Sequence, residues 1–145
     1  MKRIAFILIT LLFTTGKMFA QNTTADKVLG IWLNEEKDAK VEIYKTGNKY
    51  YGKIIWGKNI FDAEGKPTRT DIKNPDPKLK SRPLINLVIL TNFTYDDGEW
   101  EGGKIYDPKS GKTYSCVMKF KGEILQIKGY IGITLFGRTT VWTRG

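Results

Sequence analysis

From Val28 onward, apolar and polar positions alternate with a period of two, broken at short intervals by glycine, asparagine, aspartate and proline. That rhythm predicts strands and tight turns rather than helices. Val28–Leu33 reads as a first short strand and Lys40–Lys45 as a second. Thr46-Gly47-Asn48-Lys49 is a hairpin turn onto Lys49–Trp56. In that third strand Tyr50, Gly52, Ile54 and Trp56 share one face, while Tyr51, Lys53 and Ile55 share the other. Leu84–Phe93 is a nearly continuous apolar run. Glu99–Tyr106 carries Gly102-Gly103 in its middle, which predicts a bulge or sharp bend. Lys112–Phe120 sets Tyr114, Cys116, Met118 and Phe120 on one face. Glu123–Ile131 points Leu125, Ile127, Gly129 and Ile131 inward, and Arg138–Arg144 is the last strand.

Residues 57–83 interrupt the rhythm. Prolines at 67, 75, 77 and 83 exclude a long helix there. The stretch from Asp71 to Lys80 reads as stacked turns with one turn of helix around Pro77–Lys80. A connection this long in a compact domain serves a function or stays disordered, and here it is expected as a lid over one end of the fold. Residues 21–27 are polar and expected to fray.

Eight strands in hairpin-linked order, with one long loop insertion, fit an all-β, antiparallel up-and-down barrel. An open β-sandwich is the competing architecture. The ends of the chain favour closure. Gly30-Ile31-Trp32 opens the first strand, and Trp142-Thr143-Arg144 ends the last. If the sheet closes, Arg144 can lie over the Trp32 indole and stopper one end of the barrel.

The first twenty residues stand outside this pattern. Lys2 and Arg3 precede an apolar run from Ile4 to Phe13, and a segment ending in Phe19-Ala20 follows. This is the layout of a secretory signal peptide cut near Ala20. The run is too short for a permanent membrane span. The expected mature protein is residues 21–145, one domain, periplasmic or extracellular. The single cysteine, Cys116, agrees with an exported chain that has no internal disulfide.

Removal of Lys2, Arg3 and Lys17 lowers the formal charge by three, from +9 to +6. The remaining basic residues are scattered rather than striped, which argues against nucleic-acid binding. A solvated basic surface is the expected reading of that charge, and attraction to anionic cell-surface polymers or lipid headgroups is the sharper alternative.

Taken together, the motifs resemble a family of small exported bacterial proteins of unknown function. They are Gly30-x-Trp32, Asn74-Pro75-Asp76-Pro77, Ser81-Arg82-Pro83-Leu84, the block from Gly102 to Pro108, and the tail from Gly129 to Arg144. At Asn86 the family pattern more often has glycine. The resemblance implies a lipocalin-like barrel and no established reaction. The terminal pair also looks like the signature of the wider lipocalin and fatty-acid-binding superfamily, in which arginine packs across the first-strand tryptophan. Carried over, that makes Trp32 and Arg144 a structural, barrel-closing pair.

The chain has no histidine. That removes the commonest general base and the usual zinc ligand, so neither a metal nor another cofactor is expected and the reading is non-enzymatic. Cys116 sits among apolar neighbours as an inert thiol. Asp71, Asn74 and Asp76 read as turn formers rather than cation ligands. Asp96, Asp97, Glu99 and Glu101 read as solvated charges at a hairpin. Arg82 and Arg138, beside glycine, proline and apolar residues, are candidates to fork onto a carboxylate or phosphate at the barrel mouth. The alternative for both is a structural pair with Asp107, Asp76 or backbone carbonyls. Tyr50, Tyr51, Trp56, Tyr106, Tyr114 and Tyr130 are candidate pocket aromatics for an apolar or amphipathic ligand, and they are equally what a small barrel uses to fill its own core. The Leu135-Phe136 tip is expected to cap the barrel; dipping into a membrane surface is the alternative. The expected function is a binding protein that holds a small apolar or amphipathic molecule. The other reading is a structural or interaction protein of the cell envelope with a filled barrel.

Overall fold

A computed structural model describes residues 24–133, 135 and 137–145. The expected signal peptide lies outside the described residues. The strands are β1 (Gly30–Leu33), β2 (Ala39–Thr46), β3 (Lys49–Gly57), β4 (Val88–Asp96), β5 (Glu99–Asp107), β6 (Lys112–Lys121), β7 (Ile124–Tyr130) and β8 (Arg138–Arg144). Each pairs antiparallel with the next, and β1 pairs with β8 to close the barrel. The fold is the expected eight-stranded up-and-down barrel, and the open sandwich is excluded.

Three boundaries differ from the sequence reading. The polar N-terminal stretch is not frayed over its described part: Thr24–Val28 forms a 3₁₀ turn that packs across one barrel end. Residues 84–87, expected as strand, turn instead. Asn86 adopts φ 63°, a left-handed conformation that glycine takes freely and asparagine tolerates. This accounts for the glycine that the family pattern favours there. The third difference is a bulge in β3. Val41 pairs with Ile54, but Lys40 pairs with Trp56, so one residue is skipped. The skip turns Trp56 to the outer face beside Lys40 and brings Gly57 inward.

The barrel has two unlike halves. Its lower half is solid. Trp32, Tyr50, Phe93, Trp100 and Met118 are fully buried there, with the Trp32, Trp100 and Phe120 rings meeting at 5.6 and 5.7 Å. Two glycines make room. A Cβ on Gly52 would lie 2.7 Å from Leu90, and one on Gly103 would lie 2.5 Å from the Phe93 ring. The 3₁₀ turn seals this end by hydrogen bonds. Trp32 Nε1 donates to Val28 O at 2.8 Å, Trp100 Nε1 donates to Ala25 O at 3.1 Å, and the Tyr50 hydroxyl donates to Asp26 at 2.6 Å. The terminal pair forms as expected, with the Arg144 guanidinium 4.0 Å from the Trp32 ring centre. Arg144 also donates to Leu29 O and Lys27 O. Gly30 permits this: its φ is 119°, and a Cβ there would sit 2.9 Å from the guanidinium.

Candidate functional site

The upper half of the barrel is hollow. A cavity of about 490 Å³ opens at the end that carries the β1–β2, β3–β4, β5–β6 and β7–β8 connections. That volume falls within the range of small-molecule pockets. Inward positions of five strands build its floor: Val41, Ile54, Ile105, Ile127 and Trp142, with Ile89 of β4 beside them. These are the period-two residues one or two steps above the aromatic plug. Strands β3, β4 and β5 supply rings below (Tyr50, Phe93, Trp100) and aliphatics above (Ile54, Ile89, Ile105), while β2 and β7 contribute aliphatics alone.

Tyr106, Tyr114, Tyr130 and Arg138 line the cavity as the sequence suggested, and Thr140 joins them. Arg138 is exposed and forms no ion pair among the described residues. Gly129 faces the cavity at ordinary packing distance, 3.5 Å from Ile105 and Tyr114 for an added Cβ.

The other four candidates lie elsewhere, Tyr51 on the outer face of β3. Tyr50 belongs to the closed end, where its hydroxyl serves Asp26. Trp56 is on the outer face because of the β3 bulge, with Lys40 Nζ 5.9 Å from the ring centre. Arg82 is committed inside the long loop. Its Nε and one terminal nitrogen both reach Asp71 Oδ2 at 2.9 Å. The structural alternative for Arg82 is thus the one that forms, but its partner is Asp71 rather than Asp107 or Asp76.

Asp71 is fully buried and saturated with donors. The Tyr106 hydroxyl donates to Oδ1 at 2.6 Å, and Asn74 Nδ2 donates to Oδ2 at 2.8 Å. Burial alone would raise this carboxyl; the hydrogen bonds from Tyr106, Asn74 and Arg82 overcome it and hold the group below its ordinary value of 3.8. The Tyr106 phenol is pushed up to about 12 by burial and by the Asp71 charge. Tyr106 therefore touches the cavity while its hydroxyl pins the long loop to β5. Asn74 accepts from the Asp76 N–H, and Asp76 caps the short 3₁₀ turn Pro77–Leu79. These contacts are the stacked turns the sequence predicted. Among the described residues that line the cavity, none comes from 57–83. The long loop buttresses the wall near β5 and does not form the expected lid.

What does cross the mouth is a side chain that the sequence did not single out. Lys109, on the β5–β6 turn, reaches Glu36 and Asp38 on the β1–β2 loop, with the Asp38 contact at 2.8 Å. In a ring of eight strands those two connections stand on opposite sides. The ion pair is a strap over the opening. Hydrogen bonds to Asp38 and Glu36 raise the Lys109 ammonium above its usual value. For Asp38, burial is outweighed by its bonds from Lys109 and Asn34, which leaves the carboxyl lowered. No local signal foretold this contact, because its partners lie 73 and 71 positions away in sequence.

Cys116 is buried on β6 between Met118 of the plug and the cavity-lining Tyr114, and burial pushes its thiol up to about 12. Leu135 does not cap the barrel, being 75% exposed; Phe136 lies outside the described residues.

Comparison with known proteins agrees with this architecture. No curated protein matches the chain. Among solved structures, the Helicobacter pylori protein HP1028, described as belonging to the lipocalin family, superposes with a TM-score of 0.69 at 27% identity. The match covers 81% of this chain and 82% of that one. The family model "Uncharacterized protein conserved in bacteria (DUF2147)" matches residues 30–144, which span all eight strands, and the chain belongs to that family.

Proposed function

We propose that this chain is an exported, non-enzymatic binding protein that holds one small amphipathic molecule in the open half of its barrel. The observation that carries the reading is the division of the interior. One half is packed solid, and the other keeps an aliphatic-floored cavity of about 490 Å³ that ends at a polar rim. A barrel serving only as a scaffold gains stability by filling that space. In this reading the apolar part of the ligand rests on Ile54, Ile105 and Ile127, and its polar head meets Arg138 and the Tyr114 and Tyr130 hydroxyls. Two further features favour binding over catalysis. Glu36 and Asp38 are engaged by Lys109, and the Cys116 thiol is raised far from reactivity. The apolar leader Ile4–Phe13 supports export.

The test is native mass spectrometry of protein purified without detergent, followed by organic extraction, with 1-anilinonaphthalene-8-sulfonate as the binding probe. The expected result is saturable probe fluorescence at one site per barrel. Thr140→Phe, which places a ring in the cavity, should reduce it about tenfold or more. An interior that takes up no probe, in a protein that Thr140→Phe merely stabilises, would favour the envelope scaffold instead.

A further inference from the structure

Glycine weakens a strand, because it loses more backbone freedom on folding and packs no side chain. A strand keeps one where the backbone needs a positive φ, where a neighbour leaves no space for a Cβ, or where a ligand comes close to the chain. Every other described glycine has one of the first two reasons. Each takes a positive φ or has a neighbour within 3.2 Å of the Cβ position, as at Gly52 and Gly103. Gly129, inside β7, has neither. Its φ lies outside the left-handed region, and a Cβ would meet Ile105 and Tyr114 at 3.5 Å, an ordinary packing contact. An alanine side chain would fit there unopposed, yet the place is empty.

That position lines the cavity. Gly129 pairs with Cys116 on one side and with Arg138 on the other. Bare backbone therefore faces the interior beside Tyr114, at the level of Arg138.

The shape of the cavity bears on what it admits. Strands β2 to β8 run seven to ten residues. They rise about 3.3 Å per residue and lean about 40° from the axis, so the open half of the barrel is about 10 Å deep. A volume of about 490 Å³ in that depth is a basin and not a channel for a long acyl chain. Tyr106, Tyr114, Tyr130 and Trp142 surround it with aromatic faces and edges.

We infer that Gly129 is the specificity-determining position of the cavity, left bare so that a flat, ring-bearing amphipath reaches the β7 wall beside Tyr114. The inference rests on the reading of the cavity as a ligand site and names the class of molecule, a compact ring system with a polar group rather than an unbranched chain.

Isothermal titration calorimetry with two probes tests it. 1-Anilinonaphthalene-8-sulfonate carries rings, and n-decanoate is unbranched. The parent chain should bind the ring-bearing probe more tightly. Gly129→Ala should raise Tm by about 2–4 °C, because neither backbone nor packing calls for glycine there. The same variant should bind the ring-bearing probe about threefold more weakly and decanoate within about twofold of the parent. Gly129→Leu should weaken the ring-bearing probe about tenfold or more, with near-ultraviolet circular dichroism like the parent's. A parent chain that binds neither probe overturns the ligand-site reading and this inference with it. A parent that binds but prefers decanoate overturns this inference alone. So does Gly129→Ala with unchanged binding of the ring-bearing probe, with equal losses for both probes, or with a lower Tm.

Discussion

The Arg144 guanidinium lies 4.0 Å from the centre of the Trp32 ring while two of its nitrogens hold the carbonyls of Leu29 and Lys27. One side chain thus ties the last strand to the first and to the turn that stoppers the barrel. Arg144→Ala should lower unfolding stability by about 2 kcal/mol, combining a partly shielded cation–π contact with hydrogen bonds to a charged donor. Arg144→Lys should recover only part of the loss, since an ammonium cannot fork onto both carbonyls. Urea titration followed by tryptophan fluorescence measures both. A loss below about 0.5 kcal/mol for the alanine variant would show that the pair does not close the barrel energetically.

Acid and alkali should act through the cluster that binds the long loop. Asp71 is held below 3.8 when folded. Its stabilisation is therefore present at neutral pH and is lost as pH falls through that depressed value. Asp26 and Asp38 are lowered too and act in the same direction. Tyr106 is raised from 10.0 to about 12. Its contribution is complete below pH 10 and disappears as pH rises through about 12. Asp71→Asn should flatten the acid limb of a plot of Tm against pH, and Tyr106→Phe the alkaline limb. Asp71→Ala, which leaves Arg82 and Tyr106 without their acceptor, should cost about 3 kcal/mol.

The Lys109 strap is exposed, so its energetic weight is small. Lys109→Met should change global stability by less than about 1 kcal/mol. Amide hydrogen exchange at residues 34–38 and 108–111 should nevertheless speed up, because the contact joining those loops across the mouth is gone. Added salt should do the same to the parent protein. Exchange unchanged in those segments would mean that the two loops hold their positions without the ion pair.

Cys116 should be silent toward thiol reagents in the folded protein at pH 8, since burial keeps it protonated. It should react at once in 6–8 M urea, a range of the order that unfolds small domains. Ellman's reagent reads both states.

The comparison of sequence with structure follows the reach of each interaction. Strand alternation, hairpin turns and the Gly30, Trp32 and Arg144 signature are local or motif-borne, and they were legible. Gly102-Gly103 marked a bend, and the register does shift between Trp100 and Gly103. Tyr114 and Arg138 were legible as site residues because period-two counting holds along β6 and to the start of β8; Tyr130 has the opposite parity to Ile127 and Gly129, so alternation does not account for its place at the mouth. Trp56 was misread because a single skipped residue in β3 inverts the face of everything beyond it. Tyr50 was misread because alternation gives the face of a strand and not the height along the barrel. The Asp71 cluster and the Lys109 strap were beyond reach for another reason. They join segments far apart in the chain, and no spacing within either segment encodes the other.

The described chain enters the barrel at Thr24 and leaves at Gly145, and both points lie at the stoppered end, where the Gly145 N–H donates to Ile31 O at 3.0 Å. A surface, fusion partner or affinity tag attached at either point is therefore kept a full strand's length from the vestibule. Protein immobilised that way presents its doorway outward and unobstructed, which suits it to the probe measurement above.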